Sequence, residues 1–333
     1  MQYGVEEGAK SGRWHSMPEC ETTTQMRRGV TVLVGLLAVV TAAGFLDRVS
    51  WVFEPATVFR LQYVVLLLAA ALLALALKQR YLVVAAVALA SVNIAAIAPW
   101  QHGPRSAASS VDPTLRIVAF NVKSGNHRYD QLAPLIARLQ PDILGLVELT
   151  PGWARAAESA SSHVRPRRFV VQRGAYGMGL LSAATPTALS ARRFPADGPV
   201  VLIARFKIHD RPLTFVLVHV HTPFAGSVHE RELRAIAAAR SSLGSRLIVC
   251  GDFNTVSWAA QFQDFSRSAG LTDVFRGAWH AYSWPSWSRL LGVPLDHCLI
   301  SRGLAVRGRH FGPSIGSDHF PLVVDVAILG TSA

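Results

Sequence analysis

Three apolar runs, residues 29–46, 61–77 and 81–100, fill most of the first hundred positions of this 333-residue chain and constrain its fold more than any other feature. A bilayer core is crossed by about twenty apolar residues in a helix, which pairs its backbone groups within one segment. The runs therefore predict three transmembrane helices, the second at the short end of the range. A cleaved signal peptide fits the first run poorly, since residues 1–28 precede it and two more runs follow. None of the runs holds an Asp, Glu, Lys, Arg or His, the residues that mark ion or proton paths through membranes. Their expected role is an anchor, with Asn93 packing helix against helix.

Basic residues in short loops set the orientation of such helices. Arg27 and Arg28 precede the first run, and Lys78 and Arg80 join the second to the third, so both segments are placed in the cytoplasm. Three spans then carry everything after residue 101 to the other side. The expected location is the cell membrane, multi-pass, with the larger domain outside the cytoplasm. Residues 101–114, rich in Gly, Pro, Ala and Ser, read as a linker. The chain thus divides into a tail (1–28), an anchor (29–100), the linker, and a second domain (115–328).

Between residues 112 and 327 there are 24 Lys plus Arg against 15 Asp plus Glu. That excess points to a polyanionic partner or an anionic membrane surface, and the preference for Arg suits planar contacts with phosphate. A genome-wide bias toward Arg and Ala produces the same composition. Cys250 and Cys298 sit in apolar runs as small buried hydrophobes. A disulfide between them is permitted outside the cytoplasm but not specified by the sequence.

Within this domain, apolar strand patterns repeatedly end on polar residues. Leu115 to Asn121 ends on Asn121, Asp142 to Glu148 on Glu148, and the run Leu247 to Cys250 exits through Gly251-Asp252-Phe253-Asn254. Period-two geometry points Asp252 and Asn254 the same way. Further strands are expected over 168–172, 177–182, 200–206, 214–221, 294–301 and 322–328. Helices are expected over 129–139, from Thr150-Pro151, over 228–240 with a capping box of Ser227 and Glu230, and over 257–269. This mixture predicts an α/β fold with two mixed sheets packed face to face and helices outside.

Five separated segments therefore carry Asn121, Glu148, Asp252 with Asn254, Asp296, and Asp318 with His319 to strand ends. Phosphodiesters repel nucleophiles, so their hydrolysis needs a divalent cation on phosphoryl oxygen, a group to orient or deprotonate water, and cationic donors for developing charge. Carboxylates with few histidines suit Mg²⁺, with Mn²⁺ as the alternative. No zinc spacing and no Gly-rich phosphate loop is present.

The motifs FN at 120–121, VEL at 147–149, GDFN at 251–254, LDH at 295–297 and SDH at 317–319, in that order, resemble the endonuclease/exonuclease/phosphatase superfamily. The resemblance implies a four-layered α/β/β/α sandwich and hydrolysis of phosphoester bonds. It implies Glu148 as a Mg²⁺ ligand with Asn121 and Asp318 beside it. Asp252 would orient or deprotonate water, and Asn254 would hold phosphate or water. His319 would face the scissile phosphate, its ring oriented by Asp296. A further His belongs at the end of the strand before the GDFN unit. His221 is expected there, with His219 as the alternative. Tyr176 matches a position where some members place a phosphate-contacting Tyr, a packing role being the other reading. His280, His297 and His310 read as structural or exposed.

The aromatic loop with Trp279, Tyr282, Trp284 and Trp287, followed by Arg289, suits stacking of bases, a headgroup boundary, or simple packing. The pattern around Trp284-Pro285 and Leu295-Asp296-His297, together with the apolar N-terminal runs, resembles a bacterial membrane-anchored subgroup of that superfamily. The expected activity is a membrane-anchored, Mg²⁺-dependent nuclease. A phospholipid or inositol-phosphate hydrolase is the second expectation, and an inactive membrane-tethered binding module the third. The expected partners are a phosphodiester, either nucleic acid or an anionic lipid headgroup, and the bilayer. No protein partner is inferable.

Overall fold

The computed structural model describes residues 19–101, 112–160, 163–172, 174–278 and 282–330. Most of the expected linker, together with Trp279 and His280, lies outside the described residues. The N-terminal region contains helices α1 (Glu19–Gly44), α2 (Pro55–Val58), α3 (Arg60–Ala76) and α4 (Arg80–Ile97). Among the described residues, two segments, Glu21–Gly44 and Arg80–Trp100, are long and apolar enough to cross a membrane. The middle run differs from a plain span: α3 has 17 residues, and its segment is bent by 57° from Trp51–Val58, so a third crossing requires that bent pair to act as one. Alanines 70, 71, 74, 86 and 90 lie in the core of this bundle and let α3 and α4 approach closely. Asn93 packs helix against helix: its amide donates to Thr41 Oγ1 (2.9 Å) and its Oδ1 accepts from Arg60 (3.1 Å).

Twelve strands follow among the described residues: β1 (Thr114–Asn121), β2 (Ile143–Val147), β3 (Arg165–Val170), β4 (Met178–Ser182), β5 (Ala188–Arg193), β6 (Val200–Ile208), β7 (Arg211–His219), β8 (Leu247–Asp252), β9 (Leu271–Asp273), β10 (Asp296–Ser301), β11 (Leu304–Phe311) and β12 (Leu322–Ile328). They form two six-stranded mixed sheets, ordered β11-β12-β1-β2-β4-β3 and β5-β6-β7-β8-β10-β9. Helices α5 (Leu132–Leu139) and α6 (Pro151–Ser159) cover the outer face of the first sheet. Helices α7 (Ser227–Ala238) and α8 (Ala260–Ala269) cover the second. The expected sandwich with helices outside is thus present, while β5, β9 and β11 are strands beyond those read from the sequence. The capping box does not form. Gly226, at φ 78°, precedes the helix, Ser227 is its first residue, and Glu230 pairs with Arg234 instead.

Alternation explains why the strands read as continuous apolar runs. Ile117 and Ala119 of β1 face the core between the sheets, while Val118 and Phe120 face the helices. In β8, Ile248 and Cys250 face inward and Val249 outward. Cys250 lies directly opposite Cys298 of β10 and is disulfide-bonded to it. Gly251 is required where β8 runs beside β7: at φ 145° a Cβ there would sit 1.9 Å from the Val218 carbonyl oxygen.

One buried ion pair fastens β9 and β10 to the segment after β8. His297, fully buried, holds Asp273 through Nδ1 (3.0 Å) and the Thr255 carbonyl through Nε2 (2.9 Å). Burial opposes charge on both groups, but their mutual attraction outweighs it, raising His297 and lowering Asp273. Removing one partner strands the other in the interior. Asp273→Asn is therefore expected to cost roughly 3 kcal/mol in denaturant unfolding at neutral pH.

Candidate functional site

The hydrophobic rows between the sheets end in polar side chains at one edge of the sandwich. Asn121 continues the inward row of β1, His219 that of β7, Asp252 that of β8, and Asp296 begins that of β10. Register brings the last three together: Asp252 is the cross-strand partner of both His219 and Asp296. Each of these side chains is buried, as is His319, while Glu148, Asn254, Asp318, Tyr176 and His221 are half-buried. The site therefore has a dry floor and a wetter rim.

Asn121 joins the two sheets. Its Nδ2 donates to Glu148 Oε1 (2.9 Å) at the exit of β2 and to Asp252 Oδ2 (2.9 Å) at the end of β8. Its Oδ1 accepts from the Lys123 backbone N–H (2.9 Å). Glu148 also accepts from Ser124 N–H (2.8 Å), and Asp252 from Asn254 N–H (2.9 Å). Asn254 Nδ2 is turned back onto the Val220 carbonyl (2.9 Å). Lys123, Glu148 and Asn254 all adopt left-handed backbone, at φ 60°, 60° and 52°. Non-glycine residues rarely do so, and such conformations gather where function demands an orientation.

The second cluster is Asp296–His319–Asp252. His319 Nδ1 lies 2.7 Å from Asp296 Oδ2, and Nε2 lies 3.8 Å from Asp252 Oδ2. Burial alone would lower the basicity of His319, but Asp296 and then Asp252 outweigh it, and its pKa is pushed up to about 10. Burial raises Asp252, and Asp296 raises it further. The ring is thus an imidazolium at neutral pH, placed between two carboxylates that would otherwise repel each other. The three residues form a compact group able to hold a metal ion. Glu148, by contrast, stands at the wetter rim.

At that rim the carboxylate oxygens are the candidate ligand atoms, since Asn121 turns its Nδ2 to Glu148 and its Oδ1 to the Lys123 N–H. Asp318, the third member of the expected ligand set, is not in direct contact with the other two. Its carboxylate accepts from the Lys123 ammonium (3.0 Å) and from Trp284 Nε1 (3.4 Å). Lys123 thus links Asn121, through its backbone, with Asp318, through its side chain, and its ammonium occupies a position that attracts cations.

The two histidines of β7 and its exit part company. His219 Nε2 stands 3.6 Å from Asp252 Oδ2, with Nδ1 on the Ala175 carbonyl (2.8 Å). His221 turns to Glu232 of α7, with Nδ1 2.5 Å from Oε1 and its backbone N–H donating to Oε2 (2.9 Å). Tyr176 packs beside both rings, at 5.3 Å and 4.6 Å between centroids. Lys123, Glu232 and His229 escaped sequence reading. His229 donates Nδ1 to the His221 carbonyl (2.6 Å), and its Nε2 lies 3.3 Å from Glu54 of the N-terminal region.

The model of the Endonuclease/Exonuclease/phosphatase family matches residues 118–319. Among solved structures, TDP2 of D. rerio complexed with single strand DNA product superposes with a TM-score of 0.56 at 17% identity, over 65% of this chain and 99% of that one. An endonuclease/exonuclease/phosphatase from Bacteroides vulgatus gives 0.56 at 15% identity, over 65% and 99%. The mannosyl-6-phosphatase Bt3783 of Bacteroides thetaiotaomicron gives 0.53 at 15% identity, over 64% and 99%. These likenesses show the fold. No curated protein matches the chain.

The raised His319 yields a direct test. Because its folded pKa exceeds the ordinary 6.5, charging it contributes stability that is complete below about pH 6.5 and lost as pH climbs through about 10. The metal-free protein should show an imidazole that stays protonated by NMR through pH 8. Asp296→Asn should move that titration downward and reduce the loss of stability between pH 7 and 10.

Proposed function

Because the chain belongs to the endonuclease/exonuclease/phosphatase family, we propose that it is a membrane-anchored, Mg²⁺-dependent nuclease whose catalytic domain works outside the cytoplasm. At the level of reaction class it is a hydrolase acting on phosphoric ester bonds. The observation that carries the finer reading is the junction at Asn121, which sets Glu148 on one side of a single amide and the buried Asp252 on the other. Glu148, Asn121 and Asp318 would hold Mg²⁺, or Mn²⁺ in its place, as hard oxygen donors. The ion would neutralise the phosphate and polarise it toward attack. Asp252, raised by burial and by Asp296, is the group to accept a proton from water in line with the scissile bond. His319 stays protonated and contacts the phosphate oxygens, stabilising the charge that develops on them. His219 and Asn254 keep Asp252 in place, Tyr176 and His221 stand at the rim, and Asp296 orients His319.

Nucleic acid as substrate is supported by the basic excess of the domain and by the DNA product bound to the TDP2 fold relative. One observation favours a lipid or inositol-phosphate headgroup as the second reading. The loop bearing Trp284 touches Asp318 and also reaches α3, whose Gln62 Nε2 donates to the carbonyls of Leu290 (3.3 Å) and Gly292 (3.2 Å). The proposed topology is supported by charge placement. Lys78 and Arg80 join α3 to α4 at the end of the bundle away from the catalytic domain, and Arg27 and Arg28 lie in the first part of α1.

The test uses the full-length chain in detergent with DNA, RNA and a phospholipid panel. Cleavage of nucleic acid should vanish with EDTA, return with Mg²⁺, and weaken steeply with salt. Asp252→Ala and His319→Ala should each lower it by about a hundredfold or more, which also excludes contaminating nucleases. Lipid turnover alone, with the same dependence, would transfer the assignment to the second reading. A folded chain that hydrolyses none of these substrates would overturn both.

A further inference from the structure

A second recess, apolar and separate from the catalytic residues, lies where the helical region meets the catalytic domain. Its volume is about 640 Å³, within the roughly 300–1,000 Å³ typical of ligand sites. Leu61 and Val64 of α3 and Ile94 and Ile97 of α4 form one wall, and Val293 and Phe320 contribute to the other. None of Asn121, Glu148, Asp252, Asp296, Asp318 or His319 lines it, so this is no extension of the reaction centre.

Three observations identify the occupant. The first is depth. Arg60 begins α3 and Ile97 ends α4, so the wall belongs to the catalytic-domain end of both helices. Val64 lies about 6 Å along its helix from that end by helical rise, so the wall stands about one helical turn along α3 from the catalytic domain. The second is access. Leu61 and Ile94 are 51% and 49% exposed while lining the recess, so it opens to the medium around the helices. The third is polarity. Among the described residues, Arg289 is the only charged one in the lining. It sits on the loop that Gln62 ties to α3. Trp100 and Tyr282 add the amphipathic aromatics favoured at a headgroup boundary.

We propose that this recess binds one acyl chain of a bilayer phospholipid, with the lipid phosphate held at Arg289. The proposal rests on the reading of α1, α3 and α4 as membrane-embedded. A seated chain packs against Val293, three residues before Asp296, and against Phe320, the residue after His319. The lipid thereby steadies two segments that position the catalytic cluster without touching the substrate.

The experiment reconstitutes the full-length chain into phosphatidylcholine vesicles containing a phosphatidylglycerol with a photoactivatable group in its acyl chain. Labelled peptides are then mapped. Label is expected on α3 and α4 and, decisively, on catalytic-domain peptides covering Val293 and Phe320. Ile97→Trp and Leu61→Trp should each cut the catalytic-domain label by about tenfold, the effect of displacing about two buried methylenes. Leu61, at a half-exposed position, guards against a folding defect in the other variant. Val84→Trp, at a position on α4 that does not line the recess, should leave that label unchanged, and Arg289→Ala should lower it. Label confined to the spans, or indifferent to both recess-filling variants, would overturn the proposal while leaving the membrane reading intact. Absence of label from the spans as well would overturn both.

Discussion

The buried Asp252 carboxylate is the constraint around which the domain is arranged. A charge in a dry interior is tolerated only when it is paired and hydrogen-bonded, and four neighbours of Asp252 serve that need. Asn121 reaches it from the opposite sheet, Asn254 donates its own backbone N–H, and His219 and His319 approach from the two flanking sides. Because Asn121 belongs to the first sheet and Asp252 to the second, satisfying the carboxylate also fixes how the sheets meet at the edge where their hydrophobic rows run out. Asp296, opposite in register, would make this worse by repulsion. The imidazolium of His319 between them converts two like charges into a single polar cluster.

Left-handed backbone at Lys123, Glu148 and Asn254 belongs to the same arrangement. Each follows directly or closely on a strand that ends at the core, and each must turn its side chain sideways rather than continue the pleat. The cost of such conformations is met by the surrounding ladders. They are borne here because Glu148 accepts two donors and Asn254 is held at both its backbone and its amide.

What the sequence made legible follows period-two geometry. Asn121, Asp252 and Asp296 could be read because each lies in or beside an apolar run whose alternation predicts the face it occupies. Two sheets with outer helices followed from the same runs, since strands buried on both faces show no polar alternation. Residues that act across the fold left no such trace. Lys123 sits two positions past a strand and looks like a surface lysine. Glu232 is one acid among several on an amphipathic helix until α7 brings it under His221. Period-two alternation puts His219 and His221 on one face, but β7 ends at His219, and only the position of α7 tells which ring is drawn aside. The short β9 and the partly exposed β5 lack the apolar density that marks a strand.

The N-terminal region was legible as apolar helices but not as a component of the enzyme. Its turn between α1 and α3 carries polar residues into the catalytic domain. Asp47 accepts from Ala260 N–H (2.8 Å) at the start of α8, and Trp258 donates to the Thr57 carbonyl (2.7 Å). Glu54, fully buried, accepts from Thr255 Oγ1 (2.5 Å) and faces His229. Thr255 follows Asn254 directly, and His229 holds the carbonyl of His221, so one carboxylate from the helical region adjoins two segments of the site. Burial would lower His229, but Glu54 outweighs it and raises the ring above the ordinary imidazole value. Cutting the chain before residue 101 would take the Glu54 carboxylate away from the Thr255 hydroxyl and from the His229 ring, leaving His229 its bond to the His221 carbonyl. The helical region is therefore part of the catalytic domain's own interior, and the position of the site relative to it is set by hydrogen bonds rather than by the length of the linker.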